Sequence, residues 1–275
     1  MTTTRTRPAP GRPATASPAA TERIGRVVAP VVVGVIGLAG WQFLVSVVEV
    51  SPYLLPGPQE IGSELNDNFA AVREAFWITG ANAAIGLLFG TVVGIVLAGL
   101  AAWARVVDGM LAFVVASLAV VPIVALAPVL NSMYGADSEY GRRAIAAIAA
   151  FVPVYVNTVR GLRQTTPQHR DLMHSYSASG WQTFSSLTLP SAAPHVITGI
   201  RVASSLAVIS ALVAEYFGGP RGGLGSFIST SAATSAYALA WAYVVAAIVL
   251  GLVAYVVTVL IERLVQWRLP TGGRS

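Results

Sequence analysis

The chain has 275 residues, of which 55% are hydrophobic and only 11% are charged. Ordinary soluble domains carry about 25% charged residues, so this composition argues against a soluble protein and favours a membrane protein. The 17 basic residues outnumber the 12 acidic ones, but they flank apolar blocks and form no patch with aromatic residues, which excludes nucleic-acid binding.

Two residue types are missing from the sequence. Without cysteine, the chain has no disulfides and no thiolate metal site. All seventeen basic residues are arginine, whereas a phosphate-binding P-loop requires a lysine. The chain therefore lacks that type of ATP site, and any ATP that drives it must bind to another subunit.

The amino-terminal segment, residues 1–26, is rich in Thr, Pro, Ala and Arg. Such a segment cannot bury enough apolar surface to fold, which predicts a disordered tail. The uncharged block 27–48 is long for the apolar region of a cleaved signal peptide and matches the roughly 20 residues that span a bilayer. We therefore predict a retained first transmembrane helix.

Five further apolar blocks follow, and together with the first they predict an all-α, polytopic membrane protein with about six transmembrane helices. An amphipathic surface helix is predicted over residues 59–75, before the second block. The later blocks cover residues 77–103, 110–133, 144–159, 194–217 and 237–261.

The second and third blocks contain glycines and prolines at informative positions. Gly86, Gly90 and Gly94 recur at four-residue spacing, which lets another helix backbone approach closely. Packing within the chain is favoured over a contact between subunits. Pro122 and Pro128 interrupt the third block, and proline in a membrane helix frees backbone groups that neighbours or a water-filled cavity must satisfy. This favours a broken helix beside a pathway over a plain kink.

The longest polar interval between apolar blocks covers residues 165–194, and we call residues 165–190 the polar loop. Thr166-Pro167 predicts a helix start, because the Thr hydroxyl can cap free N–H groups and Pro is tolerated at the first helical position. Small residues at 177–180 predict a bend, followed by a second short helix that Leu189-Pro190 stops. The polar loop is too polar to cross a bilayer.

The arginine positions predict the orientation of the chain. If the amino terminus lies inside, inside segments hold twelve arginines and outside segments hold four, which agrees with the positive-inside rule. Both termini and the polar loop are then cytoplasmic. The inside residues are Arg5, Arg7, Arg12, Arg23, Arg26, Arg105, Arg160, Arg163, Arg170, Arg263, Arg268 and Arg274, and the outside residues are Arg73, Arg142, Arg143 and Arg221.

The sequence offers no set of residues typical of catalysis or metal binding. His169, His174 and His195 lie in or beside the polar loop, but their spacing matches no compact zinc pattern, so we interpret them as polar surface residues. No Ser-His-Asp or paired-carboxylate set lies at membrane depth. We therefore expect no catalytic residue, no metal and no cofactor.

Two charged residues lie within the fifth block. Arg201 is a few residues from its start, where an unpaired charge is expensive; we favour a side chain that snorkels to the cytoplasmic face over one that pairs within the bundle. Glu215, near the opposite end, is either an interfacial charge or a gate residue. The glycine-rich segment 218–225 lacks the spacing of a phosphate cradle and predicts a tight external turn or a gate loop.

The polar loop resembles the cytoplasmic coupling loop, or EAA loop, of permease subunits of bacterial ABC importers. Asp171 stands where that family usually has Glu, and Ser177 stands for its glycine six positions later. Ala178-Ser179-Gly180 and Leu189-Pro190 then follow as in the family. The chain is similar to the nitrate, sulfonate, taurine and thiamine-precursor branch over residues 50–267. The matching segments outside the loop include Tyr53-Leu54-Leu55-Pro56-Gly57-Pro58, Val121 to Pro128, Asn157 to Leu162, Gly199-Ile200-Arg201, Glu215 and Gly223-Leu224-Gly225.

The resemblance implies the transmembrane permease subunit of an ATP-driven importer in the bacterial cell membrane, with ATP hydrolysis on a separate subunit. Implied partners are cytoplasmic ABC ATPase subunits, an extracytoplasmic substrate-binding protein, a second permease copy or a paralogue, and membrane lipid. The implied permease domain is residues 27–266, with a family-like core at about 75–265 that includes the loop 165–190. Residues 1–26 and 267–275 are the implied terminal tails. The implied coupling residues are Asp171, Ser177, Ala178, Ser179, Gly180, Leu189 and Pro190, and the pathway or gate candidates are Pro122, Pro128, Asn157, Arg201 and Glu215.

Two other classes of membrane protein fit the composition. An ion-coupled secondary transporter predicts intramembrane acids and two similar halves, but the apolar blocks lack acids apart from Glu215 and no internal repeat is visible. A membrane-anchored assembly protein would not need a proline-broken third block. Co-purification with an ATPase separates the three classes.

Overall fold

The computed structural model describes residues 20–47, 51, 53, 55–135, 138–218 and 222–268. All regular structure in these ranges is helical, which confirms the all-α prediction. The helices are α1 (Ala20–Val47), α2 (Pro58–Asp67), α3 (Phe69–Trp103), α4 (Arg105–Val120), α5 (Ile123–Tyr134), α6 (Tyr140–Leu162), α7 (Pro167–Ser175), α8 (Gly180–Thr183), α9 (Leu189–Tyr216), α10 (Leu224–Ala233) and α11 (Tyr237–Arg268).

The chain divides into two compact units, residues 1–51 and 52–275. In the first unit, α1 contains an apolar stretch, Ala29–Val47, that is long enough to cross a membrane. The predicted first span is thus confirmed as a helix of spanning length. The prediction of a disordered tail is wrong for residues 20–26, which belong to α1. Residues 1–19 of that tail and residues 269–275 of the predicted carboxy-terminal tail lie outside the described residues.

The second unit contains the remaining candidate spans. Four continuous helical segments are long and apolar enough: Phe69–Trp103, Tyr140–Leu162, Gly180–Tyr216 and Tyr237–Val265. Helices α4 and α5 meet at 96° and pass the same test only as a pair. With α1, the described residues therefore hold five spans, or six when the bent pair counts as one, which confirms the predicted number.

Small residues let the central helices α3, α6 and α9 pack closely. Gly90 faces α6 so tightly that an added Cβ would lie 2.8 Å from the Cβ of Ala150. Gly86 and Gly94 meet α6 in the same way, at Ala146 and Val154. The favoured interpretation of the glycine spacing, packing within the chain, is confirmed.

The third block breaks at only one of its two prolines. Val121 and Pro122 are extended between α4 and α5, so the predicted break at Pro122 is confirmed. The expected interruption at Pro128 is wrong, because this residue lies inside α5. A proline there removes a single helical hydrogen bond, and the remaining bonds keep a short, partly buried helix intact.

Two predicted helix boundaries are also wrong. The surface helix ends at Asp67, and residues 69–75 instead begin α3, because Val72 and Ala75 pack into the main apolar cluster. At the fourth span, Arg142 and Arg143 lie within α6 and do not precede it. Arg142 is only 1% exposed. The count of outside arginines included it, but it is not a solvent-exposed charge.

Candidate functional site

The polar loop begins with a short helix, α7, as the sequence predicts. Thr166 is its N-cap residue and Pro167 its first helical residue. The predicted cap by the Thr166 hydroxyl is wrong, since this hydroxyl lies 3.0 Å from Nδ1 of His169 and bonds no free N–H group of the helix.

The bend after α7 is built on Ser177. Its φ of 54° lies in the left-handed region, where glycine is the usual residue. The N–H of Ser177 donates to the carbonyl of His174 at 2.9 Å, and the N–H of Ala178 donates to that of Met173 at 3.0 Å. This pair of bonds is a Schellman motif, whose left-handed position is normally glycine. The local geometry thus explains why a glycine is expected where this chain has Ser177.

The second short helix, α8, starts with a capping box. The backbone N–H of Gln182 donates to Oγ of Ser179 at 3.3 Å, and the N–H of Ser179 donates to Oε1 of Gln182 at 2.8 Å. This motif was not predicted, although a serine followed three residues later by a glutamine is its known signal. The two caps together fix the bend at residues 177–180.

The end of the polar loop differs from the prediction. Leu189-Pro190 was expected to stop the second helix, but the chain stays helical from Gly180 to Tyr216. Residues Phe184–Thr188 form a π-helical turn directly before α9. A π-turn widens the helix and relieves the clash between a proline ring and the preceding turn, so Pro190 is accommodated and the fifth span is continuous with the loop.

The surface of the polar loop carries apolar and aromatic side chains. Tyr176 is 76% exposed and Trp181 is 74% exposed, and the ring of Trp181 lies 5.8 Å from that of Phe184. Leu172 and Leu189 of the same loop are also exposed. Apolar side chains grouped on an otherwise polar loop mark an interaction surface.

Most of the other predicted coupling residues are exposed in the same loop. Asp171 is exposed and is the fifth residue of α7, so it lies beyond the first turn, where the helix dipole would favour an acid. Ala178 is half-buried, and a Cβ added at Gly180 would meet no atom within 4 Å.

The histidines separate into two groups. His169 and His174 are exposed, as expected of polar surface residues. His195 is half-buried in α9 beside Gly161, so that interpretation is wrong for it. In the part of the chain that the structure describes, no group of three His, Cys, Asp or Glu side chains is arranged to hold a metal ion.

A cleft of about 400 Å³ lies between the bent pair α4–α5 and helix α6. The break at Pro122 places Val121 and Ile123 on its wall, and Asn157 contributes an amide, whose nitrogen donates to the carbonyl of Pro153 at 2.8 Å. The other lining residues are apolar: Leu118, Ala119, Leu126, Ile148, Ala149, Val152, Pro153, Val156 and Leu206. We refer to this space as the cleft.

Arg201 lies outside the cleft and pairs within the bundle. Its Nη1 is 2.9 Å from Oε2 of Glu262 on α11. The favoured expectation of a snorkelling Arg201 is therefore wrong, and the alternative, an ion pair, holds. An ion pair removes most of the cost of placing the guanidinium in a membrane helix.

Glu215 is buried at the other end of α9, with 0% exposure, so the interfacial-charge alternative is wrong. Its Oε2 accepts from the hydroxyl of Thr79 at 2.7 Å and from the N–H of Gly225 at 3.2 Å, and Asn82 donates to Oε1 at 3.3 Å. Thr79 Oγ1 also accepts from the N–H of Leu224 at 2.8 Å. The carboxylate joins α3, α9 and the amino end of α10, where a negative charge is favourable.

The glycine-rich segment fits against this carboxylate. Gly223 has a φ of 117°, and an added Cβ would lie 2.5 Å from Cδ of Glu215. Gly222 is also left-handed, with a φ of 43°. The prediction of a tight turn is confirmed for residues 222–223, while Gly219, Pro220 and Arg221 lie outside the described residues.

The pathway candidates are therefore dispersed. Asn157 and the break at Pro122 meet at the cleft, whereas Arg201 and Glu215 lie fourteen residues apart on α9, about 20 Å at 1.5 Å per residue. Thr79 and Asn82 were not predicted as partners of Glu215. Two polar residues three positions apart in an apolar block indicate a buried hydrogen-bonded site, because polar groups in a membrane helix require partners.

Removing the Glu215 carboxylate should destabilise the fold. In Glu215→Ala, the hydroxyl of Thr79 and the N–H of Gly225 lose their buried acceptor, and each such loss costs about 1–3 kcal/mol. We expect a clearly lower Tm of the detergent-purified protein by fluorescence-detected size exclusion, and a smaller loss for Glu215→Gln, which keeps one oxygen. Equal Tm values for all three proteins would contradict the structural role.

Comparison with known proteins assigns these features to a family. The family model described as "Binding-protein-dependent transport system inner membrane component" matches residues 90–268. The chain is 34% identical over 181 residues to the formylaminopyrimidine transport permease protein of Halalkalibacterium halodurans, covering 64% of this chain and 70% of that one. It is 29% identical to a putative aliphatic sulfonates transport permease protein of Bacillus subtilis, covering 67% of each. It is 28% identical to a nitrate import permease protein of Synechococcus elongatus, covering 53% of this chain and 51% of that one. The chain belongs to the family of binding-protein-dependent transport system inner membrane components, and it is the multi-pass translocation subunit of an ABC importer.

Proposed function

We propose that the polar loop is the surface on which a cytoplasmic ABC ATPase docks. The observation that carries this proposal is the exposed aromatic group of Tyr176, Trp181 and Phe184 on a loop whose bend is fixed by two caps. A rigid loop with exposed aromatic residues offers apolar contact area at a low cost in conformational entropy. Asp171, Ser177, Ala178, Ser179, Gly180, Leu189 and Pro190 form or border this surface.

The continuity of the loop with the membrane helices supports a coupling role. Residues from Gly180 to Tyr216 are helical without a break in the chain, and α6 leads into the loop from the other side. A displacement of the loop by the ATPase would therefore act on α6 and α9 directly. ATP shifts the permease between inward- and outward-open states only because the ATP-bound ATPase fits one state better.

The cleft is the proposed part of the pathway that this chain contributes. Its wall combines the broken helix at Pro122 with Asn157, and irregular backbone at membrane depth is tolerated where it lines a cavity. A second copy of this chain, or a paralogue, would close the pathway, and an extracytoplasmic binding protein would deliver the solute. The proposed solute is small, of the sulfonate, nitrate, taurine or pyrimidine type, and ATP is hydrolysed by the separate ATPase.

The proposed orientation has both termini and the polar loop in the cytoplasm. It is supported by the arginine bias and by the ion pair Asp108–Arg163, which brings two predicted inside segments together at 2.6 Å. We expect tags at the amino terminus, at Gln168 and after Arg268 to be reachable only from the cytoplasm, and tags near Gln59 to be reachable from outside. Labelling at Gln168 from outside intact cells would reverse the orientation and remove the docking role.

The experiment that tests the proposed function is co-purification followed by an ATPase assay. Because the chain has no lysine for a P-loop, the purified chain should not hydrolyse ATP. Reconstituted with the ATPase that co-purifies with it, it should stimulate hydrolysis when the loaded binding protein is added. ATP turnover by the chain alone, free of contaminants, would contradict the proposal, and co-purification with no ATPase would contradict the docking role of the polar loop.

A further inference from the structure

An ion pair joins the broken helix to the chain that enters the polar loop. Nη2 of Arg163 lies 2.6 Å from Oδ1 of Asp108. Asp108 is in the first turn of α4, and Arg163 is the residue that caps the end of α6. Both side chains are partly exposed, at 31% for Asp108 and 50% for Arg163, so the pair contributes little to stability.

Hydrogen bonds continue this connection from Arg163 into the polar loop. Two residues further on, Thr165 is buried, and its Oγ1 accepts from Arg170 on α7, at 3.0 Å from Nε and 2.8 Å from Nη2. The first helix of the polar loop is therefore fastened to the segment that holds Arg163. A movement of α7 would displace Arg163 with it, because only the three residues 164–166 separate them and these bonds tie Thr165 to α7.

The Asp108 side of the ion pair belongs to α4, a helix with few buried residues. Val115 is the one buried residue of α4. With partly buried Leu111 and Leu118 it packs against Ala98 and Ala101 of α3 and against Phe151 and Tyr155 of α6. The carboxy end of α4, with Leu118 and Ala119, forms one wall of the cleft.

The second half of the broken helix is held independently. Ala127 of α5 packs with Ile145 and Ala214, and Asn131 donates to the carbonyl of Ala214 at 3.2 Å. Helix α5 is thus fixed to α6 and α9, and the bend at Pro122 separates it from α4. Helix α4 can turn about this bend while α5 stays in place.

We propose that the Asp108–Arg163 ion pair is the link through which the polar loop sets the position of α4 and thereby the width of the cleft. Asp108 and Arg163 are positioning residues and contact no solute. The proposal rests on the coupling role proposed for the polar loop. Without the ion pair, the loop still docks and moves, but α4 no longer follows it.

The absence of cysteine from the natural chain allows a direct test with single introduced cysteines. Ala119→Cys reports on the wall of the cleft, and Gln168→Cys reports on α7 of the polar loop. Each protein is placed in nanodiscs with its co-purified ATPase, and the rate of reaction with a water-soluble maleimide is measured with and without MgATP trapped by vanadate. A chain without an introduced cysteine gives the background from the ATPase.

In the parent, we expect trapping to change both reaction rates by about tenfold, within the usual range of coupling between two sites. In the variants Asp108→Asn and Arg163→Gln, trapping should still change the reaction rate of the cysteine at position 168. The change in the reaction rate of the cysteine at position 119 should fall below about twofold. The double variant Asp108→Arg, Arg163→Asp restores an ion pair of opposite direction and should restore the change at Ala119→Cys. Arg160→Gln removes a charge one turn earlier on α6 and should behave as the parent.

A response at Gln168→Cys in every variant shows that the chain is folded and docked. With that response present, a full change at Ala119→Cys in Asp108→Asn would overturn the inference and leave the docking role intact. Failure of the charge-swapped variant to restore the change would also overturn it. If trapping changes nothing at Gln168→Cys in the parent, the coupling role itself is wrong and this inference falls with it.

Discussion

Replacing Ser177 with tryptophan should abolish ATPase docking and solute uptake while membrane insertion is unaffected. Ser177 occupies the left-handed position at the tip of the proposed docking surface, with a φ of 54°. A bulky side chain there holds the two protein surfaces apart, and van der Waals contacts are lost steeply over gaps below 1 Å. The measurement is pull-down of the ATPase together with uptake in cells expressing the variant.

The matched control at the same position is Ser177→Gly. A residue other than glycine in the left-handed region costs roughly 1–2 kcal/mol, so glycine should stabilise the bend and preserve docking and uptake. Ala178→Glu should act like tryptophan at 177, whereas Asp171→Ala should have a small effect, because an exposed charge pair contributes about 0–1 kcal/mol. Normal pull-down and normal uptake with Ser177→Trp would show that this loop does not couple the subunits.

Hydrophobic blocks and prolines predicted the course of the helices because these signals are local. A block of about 20 apolar residues becomes a membrane helix almost irrespective of its neighbours, and the break at Pro122 follows from the missing N–H group of proline. Pro190 shows the limit of this reasoning. Whether a proline ends a helix depends on how the preceding turn adapts, and here the π-helical turn Phe184–Thr188 absorbs the distortion.

The polar contacts could not be predicted because they join residues far apart in the sequence. Glu215 bonds Thr79 across 136 positions, and Arg201 pairs with Glu262 across 61. Hydropathy shows that such a charge needs a partner, but it does not say which residue supplies one. The bend of the polar loop was predictable, since small residues mark it. Its Schellman motif was not, because it needs a left-handed φ at Ser177, a conformation in which glycine is the usual residue.

The second large effect is expected at Gly90, where α3 packs tightly against α6. A Cβ at this position would overlap the carbonyl oxygen of Ala147 and lie 2.8 Å from the Cβ of Ala150 and 3.0 Å from the backbone nitrogen of Phe151. Two of these three atoms are backbone, which cannot rotate away as a flexible side chain does. Gly90→Val should therefore force the two helices apart, at a cost of about 3 kcal/mol or more, the upper part of the range for overpacked cores.

The same substitution at Gly99 on the same helix separates this packing effect from the properties of valine itself. Replacing glycine with valine raises the intrinsic helix propensity equally at both positions, but a Cβ at Gly99 would meet no atom within 4 Å. We expect Gly99→Val to keep the parental Tm and a single size-exclusion peak, and Gly90→Val to give little folded protein. Because α6 leads into the polar loop, any Gly90→Val protein that is recovered should also bind the ATPase weakly. Equal yields and Tm values for the two variants would mean that α3 and α6 do not approach each other as closely as the glycines indicate.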